Sequence, residues 1–187
     1  MIYPQKLNSK KRDFLFKFGI LISVFCGIML YILNIIITPD IPWAAIANIG
    51  IFYIWISLIY TVKKRINIAG HVLLHTILAS LFTIFIDYEF GFKEWSLNIM
   101  IPIIFMISNI TMFILTIISR KKYIKYAIYQ LIIFALSFIP FFLLAEQIIQ
   151  NKILCIIATT ISFINFGVSL VLCTKSIKEV IIRKFHM

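Results

Sequence analysis

The sequence predicts an all-α membrane protein, a polytopic bundle of six transmembrane helices with both termini in the cytoplasm. Three observations predict it. Hydrophobic residues make up 62% of the chain and charged ones 13%, with a mean hydropathy of +1.04, whereas a soluble domain carries about 45 to 50% apolar and about 25% charged residues. The apolar residues fall into six runs, each near the roughly 20 residues a helix needs to cross a bilayer. Lysine and arginine, the source of the net charge of +11, gather in short runs between those segments. In a soluble protein such a charge would suggest nucleic acid as a partner; distributed this way it reads as membrane orientation.

The elements follow in order. Residues 1–17 form a basic cytoplasmic segment with Lys6, Lys10, Lys11, Arg12 and Lys17. It lacks the short apolar core and small-residue cleavage site of a secretory signal and is kept as mature protein. The six-helix domain is expected over residues 18–173. Its first span, 18–38, is ended by Pro39, Asp40 and Pro42, because proline removes a donor and crowds the preceding turn. The second, 43–62, stops at Lys63, Lys64 and Arg65, and the third covers 66–86. The stretch DYEFGFKEWSLNIMIP, residues 87–102, is a polar interruption holding three of the seven acids. The fourth span is expected at 97–119, with Ser96 as its N-cap acceptor. The fifth is expected at 126–145 with Pro140 late in it, and the sixth at 153–173. In the basic tail, 174–187, Ile177, Val180, Ile181 and Phe185 recur at three- and four-residue steps. Such a helix would either lie on an anionic inner leaflet or extend the sixth span.

Sixteen of the 18 lysines and arginines fall on the side of the termini, and only Lys93 and Lys152 on the other. That asymmetry places both ends in the cytoplasm of a bacterial cell membrane. The excess of lysine over arginine and the heavy isoleucine usage fit an AT-rich bacterial genome. Cys26, Cys155 and Cys173 all sit in apolar segments without CxxC spacing, so neither a disulfide framework nor a zinc site is indicated. No cofactor is implied. The expected partners are the lipid bilayer and another membrane protein, and the sequence leaves the oligomeric state open.

No Asp, Glu, Lys or Arg sits mid-span, which argues against an ion-coupled pump. The polarity expected inside the bilayer is neutral: His75 and Thr76, Ser108 and Asn109, Ser162 and Asn165. Amide and imidazole groups facing lipid are costly, so His75, Asn109 and Asn165 are expected to turn inward as a polar cluster. That cluster is either a structural hydrogen-bond network or a small site for a ligand head group. His71 and His75 share a helix face at metal-ligand spacing, but no acid lies at their depth to complete a zinc site. His75 could also serve as a pH sensor. A second candidate site lies on the outer face and comprises Asp87, Glu89, Trp95, Ser96 and Asn98, with Asn34 and Asn48 approaching the same side. Kinks at Pro102 and Pro140 are expected to open a shallow cleft there. Trp43, Trp95, Tyr88, Phe90 and Phe92 supply an interfacial aromatic belt. GxSxG, HExxH, DxxD and a glycine-rich phosphate loop are all missing, so no catalytic residue is assigned.

The order Ile86-Asp87-Tyr88, then Gly91, then Trp95-Ser96-Leu97-Asn98, then Pro102, resembles a bacterial six-helix membrane domain of unknown function. Tyr3-Pro4 and Arg183-Lys184-Phe185-His186 look like the two ends of that family, so the resemblance covers nearly the whole chain. In many members the domain follows a cytoplasmic zinc ribbon, and no Cys-rich ribbon precedes Tyr3. The resemblance implies a cytoplasmic-membrane location and supplies neither an activity nor catalytic residues. The function expected is that of a non-catalytic accessory or sensory membrane component. The alternative is a small-molecule transporter or the substrate-binding subunit of one, and an intramembrane enzyme is a distant third.

Overall fold

A computed structural model describes residues 9–64, 67–118 and 123–185. Among them the chain is helical throughout, with no strand: α1 (Ser9–Ile37), α2 (Trp43–Lys64), α3 (Ile68–Glu89), a π-helical turn (Ser96–Met100), α4 (Ile101–Ile118), α5 (Tyr123–Leu136), α6 (Ile139–Ala145) and α7 (Lys152–Phe185). Six helical stretches in it are long and apolar enough to cross a membrane. The chain divides into two compact units, Met1–Leu58 and Ile59–Met187.

In the first unit α1 and α2 form a hairpin whose seam is set by small residues. Gly19, Ser23 and Gly27 recur every four residues, so they stack along one face of α1. Trp55 of α2 donates its indole N–H to Ser23 Oγ at 2.8 Å, and Ser23 in turn donates to the Gly19 carbonyl at 2.9 Å. The turn is closed by Asn34, which donates to the Thr38 and Ile41 carbonyls at 2.6 and 2.9 Å and accepts the Ala44 N–H at 2.9 Å. Trp43 adds a bond from Nε1 to Thr38 Oγ1 at 2.7 Å. Asn34 thus satisfies backbone groups that Pro39 and Pro42 free when they end α1. α1 begins at Ser9, inside the segment expected to precede the first span, because nothing between Ser9 and Lys17 breaks a helix.

The second unit is built around α4 and α7. Their facing surfaces are Pro102, Phe105, Ser108, Asn109, Met112 and Thr116 on one side, and Cys155, Ala158, Thr159, Ser162, Asn165 and Ser169 on the other, all buried. Nearly every residue on the α7 face is small, and small side chains let helix backbones approach where lipid gives no hydrophobic drive. α5 joins them through Phe134, stacked on Phe166 at 4.2 Å and edge-on to Phe163 at 5.4 Å. α3 closes the core where Ala69 meets Met112 and Ile133.

Three sequence expectations are corrected. The fifth span is not one helix but two, α5 and α6. Pro140 has no N–H for the Leu136 carbonyl, and the chain tightens there, with the Ser137 N–H on the Ile133 and Phe134 carbonyls at 2.9 and 3.1 Å and that of Phe138 on the Ala135 carbonyl at 3.2 Å. Ser96 does not cap the fourth span. Trp95 occupies the cap position without a side-chain bond, and the helix opens with the π-helical turn, whose Ser96 carbonyl accepts the Ile101 N–H. Pro102, lacking a donor for the Asn98 carbonyl, follows this widened turn. The tail is no separate surface helix, since α7 runs unbroken for 34 residues to Phe185. That length is about 51 Å against about 30 Å of hydrocarbon.

Candidate functional site

The polar groups of the second unit converge on Asn109 of α4. Its Nδ2 donates to the Phe105 carbonyl and to Ser137 Oγ, both at 2.9 Å. Asn165 of α7 donates to the Asn109 carbonyl at 2.9 Å and to its Oδ1 at 3.2 Å. Gln130 of α5 donates to Asn165 Oδ1 at 2.7 Å and to the Asn165 carbonyl at 3.3 Å. The Thr116 hydroxyl lies between the Met112 carbonyl, at 2.8 Å, and Gln130 Oε1, at 3.3 Å. Ser137 donates to the Ile133 carbonyl at 2.8 Å and Ser169 to that of Asn165 at 2.7 Å. Thr116, Asn109, Gln130, Ser137 and Asn165 are all at most 2% exposed.

The arrangement follows from the chain. Ser137 sits at the break that Pro140 enforces, where its hydroxyl is free of a regular helical turn. Gln130 lies two turns earlier on the same face, with Ile133 between them, so one face of α5 meets Asn109 and Asn165 together. A second bond, Thr76 Oγ1 to Ser108 Oγ at 2.5 Å, ties α3 to α4 one residue from Asn109.

The structure therefore brings Asn109 and Asn165 together and leaves His75, half-buried on α3, outside their hydrogen bonds. Ser162 is buried, with a hydroxyl that meets no partner among the described residues. His71 and His75 acquire no third ligand: no group of three His, Cys, Asp or Glu able to hold a metal occurs among the described residues. Sequence reasoning missed Gln130, Ser137, Thr116 and Ser169. The signal lay in the steps Gln130, Ile133, Ser137, Pro140, which mark a single inward face in an otherwise apolar span.

At the far end of α3 stands Asp87, which is fully buried rather than a solvated acid paired with Glu89. Its Oδ1 accepts the Lys93 N–H at 3.0 Å, and its Oδ2 accepts the Ser96 N–H at 3.1 Å and the Ser96 hydroxyl at 2.7 Å. A buried carboxylate needs donors more than a helix start needs a cap, and this redirects Ser96. The staple holds a loop in which Gly91, Phe92 and Glu94 all take positive φ, of 86°, 47° and 60°. Asn98 extends it, donating to the Glu94 carbonyl at 2.9 Å and accepting the Gln150 N–H at 2.7 Å and the Asn151 N–H at 3.3 Å. Trp95 and Glu89 are half-buried beside this staple and make none of its bonds.

In the network the three amide nitrogens make two bonds apiece, the full count for an NH₂ group. The groove beside it, about 130 Å³ and lined by Asn109, Ile110, Phe113, Ile161, Ile164 and Asn165, is walled mainly by apolar side chains. Donors turned on one another fix helix register and leave little to grip a polar substrate. Asp87, ringed by donors, is likewise committed to holding its loop.

Residues 3–187 match the model of a family described as Family of unknown function (DUF6320). No curated protein and no solved structure matches the chain.

Proposed function

The chain belongs to the DUF6320 family of unknown function, and from its own residues we propose a non-catalytic integral membrane protein, an accessory or sensory component of a bacterial cytoplasmic membrane with both termini in the cytoplasm. The observation that carries this reading is the closed account of the network: Asn109, Asn165 and Gln130 spend their amide hydrogens within the protein. A substrate site would present polar groups to the substrate; these groups hold α4, α5 and α7 together. Sixteen of 18 basic residues on the terminal side support the orientation.

Such a component acts through a partner. Gentle crosslinking in intact membranes is expected to recover the same second membrane protein from repeated preparations, and a consistently solitary protein overturns the reading. A reporter fused after Met187 is expected to be active on the cytoplasmic side only.

One observation favours a second reading, a small-molecule transporter or its substrate-binding subunit. The fifth span is discontinuous at Ser137, beside the network, and broken spans carry the binding sites of many transporters. No inverted repeat accompanies it in the sequence. Thermal unfolding across a panel of vitamins, amino acids and lipid head groups separates the two, because a ligand that binds the folded state raises the melting point. The accessory reading expects no water-soluble member of the panel to shift it.

A further inference from the structure

The α1–α2 hairpin contains one polar atom whose partner the chain does not supply. Asn48 of α2 uses both hydrogens of Nδ2, one on the Ala44 carbonyl at 2.9 Å and one on the Gly27 carbonyl at 3.2 Å. Those bonds fix the amide and turn Oδ1 toward the Cα of Gly27, so that a Cβ built on Gly27 would collide with it. Oδ1 accepts no N–H or O–H among the described residues, and a Cα–H contact replaces only a fraction of a hydrogen bond. It lies at the wall of a groove of about 470 Å³ lined by Val24, Gly27, Ile28, Tyr31, Ile32 and Asn48. Apart from Asn48 and the Tyr31 hydroxyl, that lining is apolar.

Position decides the occupant. Asn48 stands five residues into α2, about 8 Å below its first residue Trp43, the aromatic expected at the lipid–water interface. That depth lies beneath the head groups, where water is scarce and an amide oxygen without a donor is costly. The groove follows α1 from Val24 to Ile32, about 12 Å. This suits the upper part of one lipid chain and falls well short of the roughly 30 Å seam of a second transmembrane helix.

We propose that this groove binds a hydroxyl-bearing lipid of the diacylglycerol class, its free hydroxyl donating to Asn48 Oδ1 and one chain lying along Ile28 and Val24. Gly27 is required because any larger residue pushes the amide oxygen out of reach. The site belongs to the hairpin alone and is independent of the accessory role.

The test uses the full chain in phosphatidylcholine nanodiscs, titrated with 1,2-dioleoylglycerol and with the same lipid bearing a methyl ether in place of its hydroxyl, read by native mass spectrometry and by thermal unfolding. Saturable binding of the alcohol is expected, at least tenfold tighter than the ether. Val24→Trp fills the groove without touching either Asn48 donor and is expected to weaken binding of the alcohol at least tenfold. Asn48→Leu is expected to bind alcohol and ether alike. Equal binding of the two lipids by the unaltered protein, binding unchanged in Val24→Trp, or a protein dimer in place of a lipid adduct would each overturn the proposal. Should Asn48→Leu fail to fold, the ether and Val24→Trp arms still decide it.

Discussion

The amides of the two units do different work. In the Ile59–Met187 unit, Asn109, Asn165 and Gln130 bind one another across three helices and sit under at most 2% exposure. In the Met1–Leu58 unit, Asn34 and Asn48 bind backbone carbonyls and amides next to a turn, and Asn48 is only half-buried. The surroundings match: 39% of the Ser96–Ile118 span is buried but only 6% of Trp43–Thr61. Where several helices enclose a polar residue, it pays to meet another polar residue. Where one hairpin faces a low-dielectric surrounding, the nearest partner is its own backbone. The same residue type therefore specifies tertiary register in one unit and local turn geometry in the other.

The largest effect that would break this contrast is at Asn165. Replacing it with Leu strands the Gln130 amide and Asn109 Oδ1 in a closed core, and each buried group left unpaired costs about 1–3 kcal/mol. Asn165→Leu is expected to lower unfolding free energy in mixed micelles by about 2–4 kcal/mol, whereas Asn48→Leu loses two half-exposed bonds at about 0.6 kcal/mol each. Equal losses at the two sites would erase the distinction. Next in size is Asp87→Asn. The amide keeps one acceptor oxygen and sets an NH₂ against donors, for an expected loss of about 1–3 kcal/mol. Hydrogen exchange at the Lys93 and Ser96 amides is expected to rise by about tenfold per 1.4 kcal/mol. Unchanged exchange there would mean that Asp87 does not hold the loop.

Much of the architecture was legible because hydrocarbon imposes simple rules. Apolar runs of fixed length and proline stops located the six membrane-crossing stretches, and Asn109 and Asn165 were singled out because an amide has nowhere else to turn in lipid. What escaped depended on which face of a helix meets which neighbour. Gln130 lies close to Tyr126, the expected start of its span, and so looked interfacial, until the break at Ser137 and Phe138 turned its face toward Asn165. Ser96 carried a valid N-cap signal, but a buried carboxylate nine residues upstream outcompeted the helix for its hydroxyl. His75 had the strongest chemical appeal and lies outside the bonds of Asn109 and Asn165, because residue type says nothing of azimuth. Asp87 looked like one more loop acid, since burial of a charge is set by the fold around it.

The finest comparison lies inside the hairpin, between two glycines the sequence does not distinguish. A methyl group on Gly27 would meet Asn48 Oδ1 at once, whereas one on Gly50 would meet nothing within 4 Å. Gly27→Ala must therefore displace the Asn48 amide or part the helices, and overpacking of that kind costs about 1–3 kcal/mol. Gly50→Ala removes backbone freedom from the unfolded helix without a clash, a change worth about 0.5–1 kcal/mol in favour of the fold. With Trp43 and Trp95 replaced by Phe, the fluorescence of Trp55 reports the hairpin seam alone, because its indole is bonded to Ser23 two turns from Gly27. Its melting midpoint is expected to fall in Gly27→Ala and to hold or rise slightly in Gly50→Ala. Midpoints that move together would show that the seam is set by general helix propensity, not by the close approach of Gly27 to Asn48.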